Sequence, residues 1–251
     1  DEMELAMAGL VVSEKTVRTG KLLGADFILS GSYQVAGTRI RVNAVLTGVE
    51  KAAVVSSIKF DGELADIFTL QDRIAVELMS DAAKRSASGR AFTFTDEDRR
   101  RITGGINPSL SAYECYSRGL EIRYSNPRGD LEYQRQAVKL QPDYIEALRE
   151  AAYIASTSLS LFDEALGFIT KAESVLTKRG EAGSVVHAHI LMTKGIVLRS
   201  RGDATAALAA YDASRKLMEK FPLSFSADYS DLMANIAIAH LAKGDAVRAV
   251  E

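Results

Sequence analysis

Small residues recur at regular positions through the second half of the chain, and this recurrence restricts the fold more than any other feature. Gly119, Ala152, Gly195 and Ala237 stand in one helix of each successive predicted pair, and Ala137, Ala172 and Ser214 stand in the other. Two helices cross closely only where the side chains between them are small. A chain that repeats such positions stacks helix pairs into an array, and arrays of this kind present extended surfaces for recognition.

From Leu110 onward the apolar periodicity is helical. The spacing predicts helix pairs over 110–124 with 128–140, 144–158 with 161–178, and 185–200 with 204–219. A last helix is expected over 228–242, with Gly244-Asp245 opening a partner helix that the chain end cuts off. Gly119 and Ala152 are 33 residues apart, whereas Ala152 to Gly195 spans 43 and Gly195 to Ala237 spans 42. The first interval fits a repeat of about 34 residues. The extra residues in the later two are expected in longer second helices and in loops near Lys178–Ser184 and Lys220–Ser226.

The first 88 residues have a different texture. Glu14 to Leu23 reads as a helix stopped at Gly24. Ala25 to Val35 alternates, with Phe27, Leu29 and Tyr33 on one face and Ser30, Ser32 and Gln34 on the other. Ala36-Gly37-Thr38 is expected to be a three-residue hairpin connection. The return strand, Arg39 to Leu46, points Ile40, Val42, Ala44 and Leu46 inward, and after a turn at Gly48–Lys51 a third strand runs from Ala53 to Phe60. An antiparallel meander with one apolar face needs a cover. The cover expected is a helix capped by Asp61, carrying Leu64, Ile67, Phe68, Ile74, Leu78 and Met79 and ending near Lys84. Residues 89–108 read as a linker holding one short helix, for which Thr95 and Asp98 resemble a capping box. The fold class expected is therefore α+β followed by all-α, with domains at 1–88 and 109–251.

Composition excludes several functions. A formal charge of −2 gives no general attraction to nucleic acid or to anionic lipid. Charges or glycines interrupt every apolar stretch before the ~20 residues that a membrane helix needs. The first residues, Asp1, Glu2 and Glu4, are acidic where a secretory signal is basic. With Cys115 as the single cysteine there is no intrachain disulfide, and a cytoplasmic location is expected unless an upstream segment directs the chain to the periplasm. The chain reads as a piece of a longer protein.

No catalytic pattern emerges. His187 and His189 lie two apart in a predicted helix and so point about 200° away from each other, which prevents shared metal ligation. Gly20-Lys21 and Gly24 lack the spacing of a phosphate loop. Asp96-Glu97-Asp98 reads as a charged first helical turn, Arg99-Arg100-Arg101 as a solvated patch, and Cys115 as a packing residue. Arg39 and Arg41 sit on the solvated face of the hairpin, and His240 reads as a packing residue. No enzyme activity, cofactor or metal is expected of this segment.

Leu191, Gly195, Leu198, Gly202, Ala207, Tyr211 and Ser214, together with Gly119, Ala137 and Pro142-Asp143-Tyr144, resemble the tetratricopeptide repeat family. The stretch from Leu23 to Ser32, then Arg39–Val42, Phe60-Asp61 and Asp66–Asp72, resembles TolB amino-terminal-domain-like proteins. That family carries a further strand and helix ahead of the matched region. The resemblance thus implies either a truncated domain or a reduced version with an exposed strand edge, and an open edge would favour self-association.

By resemblance, such tandem regions follow an effector domain in bacterial signalling proteins, among them class III nucleotide cyclases, protein kinases and winged-helix regulators. The resemblance places Tyr113, Tyr116, Leu120, Arg123 and Tyr124 of the first repeat on the groove side. Glu146, Arg149, Tyr153 and Ser156 take the same side in the second, and His189, Met192, Ile196 and Arg199 in the third. The candidate protein-binding set is Tyr116, Arg123, Tyr124, Arg149, Tyr153, His189, Met192 and Arg199, since aromatics and arginines give rigid contact area and forked donors. The expected function is a non-catalytic protein- or peptide-binding module that regulates an attached effector. The alternatives are the regulatory region of an adenylate or guanylate cyclase, or an envelope-associated scaffold.

Overall fold

Alternation and helical periodicity both become structure, and the places where they fail are informative. A computed structural model describes residues 14–85, 93–103, 107–221, 227–245 and 247. The chain divides into two compact units, Asp1–Leu110 and Ser111–Glu251. The first unit contains α1 (Glu14–Leu23), β1 (Phe27–Ala36), β2 (Arg39–Gly48), β3 (Ala53–Glu63), α2 (Ile67–Arg85) and α3 (Asp96–Thr103). The helical array contains α4 (Leu110–Ile122), α5 (Pro127–Leu140), α6 (Ile145–Thr157), α7 (Phe162–Lys178), α8 (Val185–Ser200), α9 (Ala204–Met218) and α10 (Ala227–Ala242). Among the described residues no helix is long and apolar enough to cross a membrane. Of the linker read over 89–108, residues 89–92 and 104–106 lie outside those described, as do most residues of the helix expected after Gly244-Asp245.

The strands form an antiparallel sheet in the order β1-β2-β3. Ala36 pairs with Arg39, so the hairpin loop is Gly37-Thr38, two residues rather than the three expected. Gly37 takes φ +62, the left-handed conformation that such a tight turn demands. β3 runs three residues past Phe60, and Asp61 lies inside it instead of capping a helix. Its carboxylate meets the Arg41 guanidinium across the strand pair at 2.6 Å. The ladder therefore claims Asp61, and a short 3-10 turn, Leu64–Asp66, leads into α2.

α2 covers only part of the sheet. Leu70, Leu78 and Ala82 are buried, with Ile74 beside them, against Ile40, Ala44, Leu46 and Phe60. Met79, expected on this face, is 41% exposed. The apolar row of β1 on the same side of the sheet is uncovered: Leu29, Tyr33 and Val35 are 59%, 72% and 48% exposed. Thr95 and Asp98 do form a reciprocal capping box at α3. The Asp98 amide donates to Thr95 Oγ1 at 3.1 Å, and the Thr95 amide donates to Asp98 Oδ2 at 2.9 Å. The segment read as a linker packs back on α2, where Asn107 Nδ2 donates to Asp72 Oδ2 at 2.9 Å.

In the array, the helix pairs fall where the periodicity places them. Gly195 of α8 lies against Tyr211 of α9, and a Cβ there would stand 2.8 Å from the ring's Cζ. Tyr211, Ala207 and Ser214 are fully buried. Gly119 of α4 is equally confined, by Asp130 and Gln134 of α5. Gly167 of α7 has nothing within 4 Å.

These environments predict opposite effects. Gly195→Ala should cost about 1–3 kcal/mol through overpacking, despite alanine's higher helix propensity. Gly167→Ala should gain about 0.5–1 kcal/mol from backbone entropy alone. Urea denaturation of the whole chain monitored by circular dichroism measures both, and a Gly195→Ala variant as stable as the parent would rule out a close crossing at this residue.

Candidate functional site

The first helix of each pair, α4, α6, α8 and α10, sits beside the next, and polar contacts bridge them above the apolar core. Arg123, in the turn just after α4, donates to Glu150 of α6, and its guanidinium carbon lies 5.3 Å from the Tyr153 ring centre. Tyr116 of α4 stacks on Tyr144 at the start of α6, ring centres 5.4 Å apart and planes tilted by 56°. His189 of α8 places Nε2 3.4 Å from Asp228 of α10 without hydrogen-bond geometry. Arg149 of α6 lies close enough to act electrostatically on both Tyr116 and His189.

Beneath this row is a buried polar cluster. Gln134 Nε2 donates to Asp130 Oδ1 at 2.8 Å and to the Tyr116 carbonyl at 3.2 Å. Asp130 and Gln134 are both fully buried, and Glu150 is 2% exposed. Burial pushes the Glu150 carboxyl above its ordinary range, with Arg123 pulling the other way. Burial also raises the Tyr116 phenol and lowers the His189 imidazole. Asp130 Oδ2, Gln134 Oε1 and Arg123 Nε have no hydrogen-bond partner.

Of the candidate residues, Tyr116, Arg123, Arg149, Tyr153 and His189 are thus brought into one continuous strip over α4, α6 and α8. Met192 packs at the edge of the same apolar cluster as Tyr153. Tyr124 stands apart, 92% exposed, with Arg123 5.8 Å from its ring centre. Arg199 lies by the buried Tyr211, inside its own helix pair. Ser156 and Ile196 are buried at 3% and 8% exposure.

Glu150 and Asp228 were missed from sequence. A glutamate inside the small, buried run Ala147-Leu148-x-x-Ala151-Ala152 was the available signal, because a carboxylate on that stripe requires a cation. His187 Nδ1 accepts from the Gly183 amide at 3.0 Å, and Cys115 is half-buried at the edge of the core. Among the described residues there is no group of three or more metal-ligating side chains.

Removing Arg123 leaves Glu150 buried without its cation. Arg123→Ala should destabilise the chain by about 3–5 kcal/mol at neutral pH. A carboxyl whose folded pKa is raised loses stability as pH rises from its unfolded value through the folded one. The deficit should therefore shrink at acidic pH, where Glu150 is protonated. Urea midpoints of parent and variant across pH 4.5–7.5 test this, and a deficit independent of pH would count against a charged Glu150.

No family model matches the chain. Its similarity to the crystal structure of BtubC (BKLC) from P. vanneervenii has a TM-score of 0.47 at 18% identity, over 74% of this chain and 73% of that one. A protein from Rhizobium meliloti (strain 1021) named "Putative adenylate cyclase 3" is 25% identical over 144 residues, which are 56% of this chain and 23% of that protein. The chain is thus distantly similar to a segment of less than a quarter of a protein that carries a cyclase name.

Proposed function

We propose that the chain is a non-catalytic interaction segment that regulates an attached effector in a bacterial signalling protein. Its helix pairs are read as tetratricopeptide repeats and its sheet unit as TolB-like. The observation that carries this reading is the strip of aromatic and cationic side chains over α4, α6 and α8. Within it Arg149 is half-buried and has no carboxylate partner among the described residues. A cation held beside Tyr116, Tyr153 and His189 suits a protein or peptide ligand that supplies a carboxylate and apolar side chains. The β1 edge, unpaired among the described residues and ten residues long without charge or proline, is the place we assign to self-association.

A second reading, the regulatory region of a class III adenylate or guanylate cyclase, is favoured by the similarity to the Rhizobium meliloti protein. In both readings the chain itself performs no chemistry.

Proteins retained by the immobilised chain should be lost about ten-fold from an Arg149→Ala, Tyr153→Ala double variant of unchanged stability. A retained set identical for the two removes the strip from the binding site. The purified chain incubated with ATP or GTP and magnesium or manganese should form no cyclic nucleotide and release no phosphate. Turnover in that assay overturns the non-catalytic reading.

A further inference from the structure

The second helices of the three pairs begin in different ways. α5 is capped by Asn126, whose side chain accepts from the Gly129 amide at 3.0 Å, and α9 by Asp203, which accepts from the Ala206 amide at 3.0 Å. Leu161 holds the cap position ahead of α7, where its side chain caps nothing and is 41% exposed. A leucine here forgoes the hydrogen bond that a polar residue would supply and leaves an apolar side chain in water.

The local backbone supports this placement. Ser160 adopts φ +57, a left-handed conformation that is uncommon for a residue with a Cβ. The Leu161 amide closes the turn by donating to the Ala155 carbonyl at 2.8 Å. Leu159 and Leu161 thereby line, with the buried Leu131, a cavity of about 310 Å³. At the corresponding turn of the next pair the glycine, Gly202, is flanked by Arg201 and Asp203, which lie 3.9 Å apart. The apolar corner is thus peculiar to one pair rather than a requirement of the array.

Two arginines complete the lining. Arg135 is already engaged, donating through Nε and Nη2 to the two oxygens of Glu164 at 2.8 Å each. Arg128 is exposed and has no carboxylate partner among the described residues. A hollow walled by three leucines with an unpaired cation at its rim complements a leucine-like side chain that has a carboxylate nearby.

We propose that this corner, between α5 and the α6–α7 turn, docks an acidic, leucine-containing segment of a partner protein. The leucine fills the hollow and a neighbouring carboxylate meets Arg128. The corner uses other helices and other residues than the strip over α4, α6 and α8, and it does not depend on that strip's function.

The test is fluorescence anisotropy with the whole chain and a fluorescein-labelled peptide that has a central leucine pair flanked by glutamates. Matched peptides carry serine for leucine, or lysine for glutamate. Saturable binding of the first peptide and about ten-fold or weaker binding of the other two is expected. Arg128→Glu should weaken the first peptide by about ten-fold or more. Leu161→Asp should abolish binding while keeping or raising the melting temperature, because aspartate caps α7. Loss of binding in that variant cannot then be assigned to unfolding. The Arg149→Ala, Tyr153→Ala variant should bind the peptide as the parent does. No saturable binding up to about 1 mM, equal binding of the lysine peptide, or full binding by Leu161→Asp would each overturn the proposal. Loss of binding in the Arg149, Tyr153 variant alone would move the peptide to the other strip and overturn it as well.

Discussion

Close approach of two helices at a residue without a side chain is the contact on which the array depends. At Gly195 the space goes to the ring of Tyr211, and at Gly119 it goes to Asp130 and Gln134. The two crossings share a glycine at the point of closest approach and differ in chemistry. The Tyr211 ring buries area, and only its hydroxyl is left without a hydrogen-bond partner. A carboxylate and an amide at the same place need partners, and the Asp130–Gln134 bond supplies only part of what they require, since Asp130 Oδ2 and Gln134 Oε1 remain unpaired. The first crossing is therefore the more polar of the two.

That polarity continues outward into the strip. Tyr116 contributes its carbonyl to the buried amide and its ring to Tyr144, so its position is fixed from below and from the side. Arg123 is fixed by Glu150 and rests on Tyr153. These are rigid presentations, with their entropy already lost before any ligand arrives. Arg149 differs, since no carboxylate among the described residues holds it. A fixed aromatic frame around one uncommitted cation is the arrangement that separates this strip from the rest of the helix surface.

The sequence made the array legible because its signals are long-range and redundant. Gly195, Tyr211 and Ser214 each carry the same message about one crossing, and an error at one position leaves the pair assignment intact. The sheet was legible in strand order but less so in detail. Asp61 has the chemistry of a helix cap, and only the ladder, by placing it opposite Arg41, gives it another use. The apolar residues of β1 read as core because alternation reports which face a side chain takes, not whether anything covers that face. Glu150 and Leu161 were passed over for a related reason. Each contradicts its local pattern, one a charge on a buried stripe and the other an apolar residue at a cap, and such contradictions gain meaning only when the neighbours are known.

α8 contributes to two separate cores. Ile190 and Val197 complete the core shared by α4 to α7, while Ala188, Ile196 and Leu198 belong to the next one with α9 and α10. A ribosome delivers this chain from α4 toward α10, so the first two pairs emerge with one wall of their core missing. They reach full burial only when residues as far as Val197 have left the exit tunnel. The order of synthesis thus makes α8 the element that seals the earlier core and founds the later one, and a chain stalled before it exposes the apolar surface of two finished helix pairs.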